Sequence, residues 1–148
     1  MRVRAYAGAV LLAWSAAVVV GAQAKITTPE ELSKVMKKVG PAMQATQKAV
    51  GAGAFADVKT QIATVKQGVL DSQSFWIEHK RDDALKFNKD TLAKIDTFEK
   101  LVSAEKVDPA AAAASLKEVG AACRSCHQVY RAQDADNNYI LKPGSLGG

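Results

Sequence analysis

The sequence predicts an all-α protein, an antiparallel up-down-up-down four-helix bundle. Apolar residues recur every three or four positions in four segments of similar length. Helix start and stop signals separate these segments by short turns. Polar and apolar residues do not alternate as in a strand anywhere after the first 24 residues. Short turns between long consecutive helices favour antiparallel neighbours, and this gives the bundle.

The first 24 residues have the features of a cleaved signal peptide rather than of the fold. Two arginines stand near the start, residues 9–20 are apolar apart from one serine, and positions 22–24 read Ala-Gln-Ala. The alternative is a retained membrane anchor, but the apolar run is shorter than the roughly 20 residues that span a bilayer. We therefore expect a mature chain that begins at Lys25, is exported to the periplasm and keeps no stable membrane span.

The charge pattern argues against nucleic-acid binding. The formal charge is +5, and loss of the two arginines of the signal segment leaves +3. The lysines are scattered among acids along the chain instead of forming one basic run. The sequence also has no paired carboxylates, nucleophile triad or phosphate loop, so we do not expect an enzyme.

The first helix is predicted to begin after Thr28, which would cap it together with Glu31, while Pro29 occupies the first turn. Gly40 and Pro41 interrupt this segment, and a proline inside a helix removes one backbone hydrogen bond. We expect a kink there rather than an end. The apolar stripe of this helix consists of Leu32, Val35, Met36, Val39, Met43 and Val50.

The second helix is predicted from about Phe55, after a glycine-rich turn at 51–53, to about residue 80. One apolar face runs along it at intervals of three and four residues, the spacing that packs against neighbouring helices. This face consists of Phe55, Val58, Ile62, Val65, Val69, Ser72, Trp76 and His79.

A polar break at 81–83 separates the third helix, which we expect to be capped by an aspartate there and to end near Ala104. Its buried face would be Ala84, Phe87, Thr91, Ile95, Phe98 and Val102. Asp108 and Pro109 begin the fourth helix as cap and first-turn residue. The apolar stripe of the fourth helix is Leu116, Val119, Cys123, His127 and Tyr130. Residues 134–148 have no helical period and form a C-terminal tail that either folds over the bundle or stays mobile.

The fourth helix contains the motif Cys123-x-x-Cys126-His127, the attachment signature of a c-type haem. The two thiols bond the haem vinyl groups and the imidazole binds iron, and helical spacing places all three on one face. A redox dithiol normally has a strand-helix-strand setting, and a zinc site needs a second ligand pair. The chain has only two cysteines. A structural disulfide remains the other interpretation, and only haem attachment explains the adjacent histidine.

The pattern C-x-x-C-H-x-x-Y-R in the last helix resembles that of the class II c-type cytochromes, which include cytochrome c-prime and its low-spin, methionine-ligated relatives. Residues 35–40 with Met43 are similar to the first helix of the low-spin members. The resemblance implies one covalent haem c in a four-helix bundle that exchanges electrons with periplasmic redox proteins. The sequence departs from the family at Gly40-Pro41 and in a shorter link between the second and third helices.

The resemblance also suggests residues around the haem. In the family an arginine at the position of Arg131 lies on the proximal side of the haem, and the alternative here is a solvated charge. Trp76 and His79 are candidates for contacts with the haem edge. The alternative interpretations are that Trp76 is only a core residue and that His79 hydrogen-bonds a carbonyl or a propionate.

The sixth iron ligand is the remaining choice. Met36 lies about 10 Å into its helix and His127 about 7 Å from the end of its own, so an antiparallel bundle brings them to nearly the same level. Met43 would lie roughly another 10 Å along the axis, and His79 is the other candidate. Met36 as ligand predicts an electron-transfer protein. An empty sixth position predicts instead a five-coordinate protein that resembles cytochrome c-prime and binds nitric oxide or carbon monoxide. A structural haem domain and a homodimer also stay open.

Overall fold

In the computed structural model, residues 25–147 are described, and four helices account for most of them. They are α1 (Pro29–Gly51), α2 (Phe55–Glu78), α3 (Asp82–Val102) and α4 (Pro109–Tyr130). Two short strands follow, β1 (Arg131–Gln133) and β2 (Tyr139–Leu141). The prediction of a mainly helical chain with four helices is confirmed. The predicted signal peptide lies outside the described residues.

The predicted starts of α1 and α4 are confirmed in their hydrogen bonds. The Glu31 backbone N–H donates to Thr28 Oγ1 at 3.2 Å, and the Thr28 backbone N–H donates to Glu31 Oε2 at 3.1 Å. At α4, Asp108 Oδ1 accepts the backbone N–H of Ala110 at 2.9 Å. These caps satisfy backbone donors that a helix leaves unpaired at its first turn. Helix α1 continues through Pro41, so the expectation that proline does not end it is also confirmed.

The start of α3 differs from its prediction. The helix begins at Asp82 itself, Arg81 occupies the cap position, and no side chain caps the first turn. The link from α2 contains only residues 79–81, and Lys80 turns it with a φ of 53°. The Asp83 carboxylate bonds Arg81 and Tyr130 instead of the helix start. The expectation of an aspartate cap was therefore wrong, because tertiary partners engage this carboxylate.

The core consists of two clusters of apolar side chains. The first fills the middle of the bundle and includes Val58, Ile62, Val65, Ile95, Phe98 and Val119. The second lies at one end and consists of Ile26, Leu32, Phe75, Trp76, Ala84 and Tyr130. This second cluster brings together the first turns of α1 and α3 with the last turns of α2 and α4.

Helix α1 packs closely on α2, and a glycine permits the approach. A Cβ added to Gly68 would stand 2.2 Å from Val39 Cγ2 and 3.3 Å from Val35 Cγ1. Helix α4 packs mainly on α3, while α1 and α4 contact one another sparsely. A cleft of about 540 Å³ lies between α1 and α4, where Val50, Ala113, Leu116 and Gly120 line it.

The C-terminal segment forms a hairpin that the sequence did not predict. Strand β1 pairs antiparallel with β2, and the Lys142 N–H donates to the Tyr130 carbonyl at 2.8 Å. Leu141 and Leu146 then pack against the second cluster. The tail therefore covers the end of the bundle at which α4 finishes. Among the helices of residues 25–147, none is long and apolar enough to cross a bilayer.

Candidate functional site

The last two turns of α4 carry Cys123, Cys126 and His127, and all three side chains are half-buried. Seven residues before His127, Gly120 faces the Met43 methyl group of α1, at 3.8 Å from where a Cβ would stand. A step of seven residues returns to nearly the same side of a helix. His127 therefore lies on the side of α4 that faces α1.

Burial keeps both thiols protonated. Desolvation raises the pKa of Cys126 to about 11, with a smaller contribution from neighbouring Cys123, and it also raises the pKa of Cys123. Neither cysteine forms a disulfide. A catalytic dithiol depends on a thiolate stabilised by a lowered pKa, the opposite of what burial produces here. The geometry therefore gives no support to a dithiol redox site.

Burial also keeps His127 neutral. Desolvation, followed by the positive charge of Arg131, lowers the pKa of the imidazole to about 4. Within the part of the chain described here, its ring nitrogens form no hydrogen bond to protein atoms. A neutral imidazole with a free ring nitrogen is the form of histidine that binds metals.

The two methionines of α1 lie at different levels of the bundle. Met36 packs against the second cluster, as Cys126 does, and Met43 packs against the first cluster, as Cys123 does. Both methionines are half-buried. Their order along α1 is thus opposite to that of the cysteines along α4. Of the two, Met36 is the one that shares a cluster with the C-terminal part of the motif.

Trp76 and His79 have protein partners in the structure. Trp76 is 3% exposed, and its ring lies 4.7 Å from that of Tyr130 and 4.9 Å from that of Phe75. His79 Nε2 lies 3.1 Å from the Thr27 carbonyl oxygen. Trp76 is therefore a core residue of the cluster that also contacts Met36 and Cys126, while His79 holds the chain that precedes α1.

Arg131 lies at the end of α4 and points away from the bundle core. It is exposed, and its guanidinium carbon stands 4.1 Å from the centre of the Tyr139 ring. Its charge still contributes to the lowered pKa of His127. The structure thus places Arg131 in a cation–π pair with the hairpin.

A polar group at the bundle end was not identified from the sequence. The Tyr130 hydroxyl donates to Asp83 Oδ2 at 2.5 Å and accepts from Arg81 Nε at 3.0 Å. Burial of the phenol, reinforced by the Asp83 carboxylate, raises the pKa of Tyr130 to about 12. These bonds join α4 to the start of α3. The pattern Arg-Asp-Asp beside a turn gave no sign that a tyrosine 47 residues later would be its partner.

A second missed residue is Asn88, which is buried on α3. Its Nδ2 donates to the Val69 carbonyl and to Ser72 Oγ, both at 2.9 Å. Asn88 lies four residues after Ala84 and so continues the spacing of the apolar face of α3. This spacing was the signal in the sequence that Asn88 is buried. It ties α3 to α2 across the core.

The residues of the motif fit a covalent c-type haem by their donor chemistry. Two free thiols and a neutral imidazole lie on the last two turns of α4, and the thioether of Met36 belongs to the same cluster as Cys126. Between residues 25 and 147, no cluster of three or more His, Cys, Asp or Glu side chains gathers as a metal site. The zinc alternative thus gains no further ligands, whereas haem iron requires from the protein only the axial donors.

No protein-family model, curated protein or solved structure matches this chain.

Proposed function

We propose that this chain is a periplasmic monohaem c-type cytochrome that transfers electrons, with iron bound by His127 and Met36. The observation that supports it most is the Cys-x-x-Cys-His motif on α4, with its three side chains half-buried. When bound, the haem supplies one-electron chemistry at its iron. The protein supplies the attachment, the axial donors and an environment that limits access of water.

Each residue of the motif has a separate role in this proposal. The Cys123 and Cys126 thiols add across the two vinyl groups of the haem and hold it to α4. His127 donates a ring nitrogen to the iron, and its lowered pKa keeps that nitrogen unprotonated at neutral pH. Trp76 and His79 stay in the proposal only as neighbours of the haem edge, because each already has a protein partner.

The proposed role of Met36 depends on the register between α1 and α4. Met43 faces Gly120, and Met36 and His127 each lie seven residues from that contact. If α1 and α4 run antiparallel, as in an up-down-up-down bundle, these two steps lead in the same direction. The meeting of both ends in the second cluster supports that arrangement. A thioether and an imidazole then lie on facing sides at one level.

The optical spectrum of the purified protein tests this function. Six-coordinate, low-spin iron with a weak near-infrared sulfur band is expected for the electron carrier. A five-coordinate, high-spin spectrum with rapid carbon monoxide binding would favour the alternative, a gas-binding protein similar to cytochrome c-prime. A preparation without any haem absorption would contradict both.

A further inference from the structure

Charged residues are divided unevenly between the two halves of the bundle. Helices α2 and α3 together carry eight acids and six lysines. Helix α1 carries four lysines and has no acid after its first turn, and α4 carries two cations and one acid. The exposed cations of α1 and α4 are named together here as the α1/α4 cationic face, which consists of Lys34, Lys37, Lys38, Lys48, Lys117 and Arg124.

The ion pairs of the bundle do not involve this face. Lys66 of α2 binds Asp96 and Glu99 of α3, at 2.8 and 2.6 Å. The only acid of α4, Glu118, lies 3.8 Å from Lys94 of α3. In contrast, no cation of the α1/α4 cationic face forms an ion pair with any residue between 25 and 147. The positive potential of this face is thus left uncompensated by the protein itself.

Two cations of this face, both on α4, line the cleft between α1 and α4. Gln47, Lys117 and Arg124 line the cleft, and no acid does. Arg124 directly follows Cys123, and its Nη1 lies 3.6 Å from the position of a Cβ on Gly120. The side of the bundle that gives access to the motif is therefore also the positively charged side.

We propose that the α1/α4 cationic face docks an acidic protein, the electron donor or acceptor of this chain. The identity of the partner rests on the proposed function. The charge of the surface is independent of that function. Charge complementarity steers encounters and sets their orientation, and association can be accelerated 10- to 1,000-fold at low salt. A face of exposed cations with few apolar residues suits a complex that forms and separates quickly, as a carrier requires.

Two other anionic occupants are less compatible with this face. A helix that binds a membrane surface combines lysines with large exposed apolar residues. The exposed large apolar residues of the described chain are Ile77, Leu101, Val129, Tyr139 and Ile140; none belongs to α1, and α4 contributes Val129 alone. A second copy of this chain would place like charges opposite one another.

Electron transfer to small ions of opposite charge measures the field at this face. After correction for driving force, anionic ferricyanide should oxidise the reduced protein faster than the cationic tris(phenanthroline)cobalt(III) does. Added salt should reduce the ratio of the two rates. Lys117→Glu with Arg124→Glu should lower the ferricyanide rate at low salt at least about tenfold. The matched control, Lys86→Glu with Lys89→Glu on α3, has the same net charge and should lower it far less. Equal effects of both pairs would overturn the proposal.

A second pair of substitutions, outside the cleft, controls for a folding defect caused by the changes at the cleft. Lys37→Glu with Lys48→Glu changes exposed positions of α1 and should reproduce the loss of rate. Far-ultraviolet circular dichroism checks that each variant stays helical. If the α1 pair behaves like the α3 control, the field does not come from the proposed face.

A binding experiment distinguishes failure of this inference from failure of the proposed function. Polyglutamate added to ¹⁵N-labelled full chain should shift amide resonances of α1 and α4 and leave α2 largely unchanged, whether or not the protein carries haem. Shifts spread evenly over all helices would overturn the docking face. Binding to phosphatidylglycerol vesicles or to duplex DNA is measured in the same way. If such binding resists salt and is lost in the Lys117→Glu, Arg124→Glu variant, the occupant of the face is a membrane or a nucleic acid and not an acidic protein.

Discussion

Gly120 of α4 faces the methyl group of Met43 in α1, which lies 3.8 Å from the position that a Cβ on Gly120 would take. This contact fixes the height of one helix relative to the other. Met43 therefore lies opposite the part of α4 that is about one helical turn before Cys123. Met36 lies two turns away from Met43 along α1, and it is the methionine nearer to the end of the motif. This register is the reason for proposing Met36 rather than Met43 as the axial ligand.

Replacement of Met36 by alanine should remove the sixth ligand. The near-infrared sulfur band should disappear and the reduction potential should fall, because a thioether favours ferrous iron. The ferrous protein should gain rapid carbon monoxide binding. Met43→Ala is the control, and it should keep all three properties while lowering the free energy of unfolding by roughly 2 kcal/mol. A native spectrum of the bis-histidine type that collapses in His79→Ala would exclude Met36.

The covalent link predicts how the haem behaves in acid. Acid-acetone should leave haem with the native polypeptide and extract it from the double variant Cys123→Ala, Cys126→Ala, because only thioether bonds survive that treatment. Ser125→Ala lies within the same motif and serves as the control, with its haem retained. Extraction from the unaltered protein would contradict the proposed function.

Export predicts the mass of the mature protein. Cleavage after Ala24 should give a chain that begins at Lys25 and is heavier by one haem than its sequence, as measured by intact mass spectrometry of the native protein. An unprocessed chain that retains Met1 and fractionates with membranes would instead indicate an anchor. That result would change the localisation and leave the haem chemistry as proposed.

The hydrogen bonds of Tyr130 predict instability at high pH. The pKa of this phenol is raised from 10.0 to about 12, so the folded state holds the proton more tightly than the unfolded state does. Its stabilisation is complete below pH 10 and is lost as the pH rises toward 12. Tyr130→Phe should cost about 1 to 2 kcal/mol of unfolding free energy at pH 7. The variant should also show a weaker decline above pH 10.

Urea unfolding between pH 7 and 12 measures both effects, and Tyr139→Phe is the control. Tyr139 is 56% exposed, and its hydroxyl makes no hydrogen bond to another described residue, so this variant should follow the wild type. If the unfolding free energy of Tyr130→Phe falls above pH 10 as steeply as that of the wild type, a group other than Tyr130 causes the loss of stability.

The close approach of α1 and α2 predicts opposite effects at two glycines. Gly68→Ala would bring a methyl group 2.2 Å from Val39 Cγ2, and overpacking should cost about 1 to 3 kcal/mol. At Gly51 an added Cβ would have nothing within 4 Å, and no proline follows, so Gly51→Ala should stabilise the haem-free chain by about 0.4 to 1 kcal/mol because alanine reduces the freedom of the unfolded chain. Urea midpoints of the two variants test this difference. Because Val39 lies one turn from Met36, Gly68→Ala should also weaken the sulfur band.

Local patterns were enough to predict the four helices and two of their starts, because caps, first-turn prolines and apolar spacing act within a few neighbouring residues. The proposed haem-attachment motif was found in the same way, since Cys123, Cys126 and His127 share a helix face at any position in a fold. These features are local, and the structure confirms the helices and caps at Thr28 and Asp108.

Which residues meet across the bundle depends on how the helices pack and was not visible in local patterns. The partners of Asp83 and His79 lie 47 and 52 residues away in sequence, and each bond depends on how the helix ends come together. The aspartate cap of α3 failed for that reason, and the hairpin of β1 and β2 went unpredicted because three-residue strands have too few positions to show a period. The lysines look scattered along the sequence, yet folding brings Lys66 and Lys94 within 4 Å of acids on neighbouring helices, while the lysines of α1 have no acid that close between residues 25 and 147.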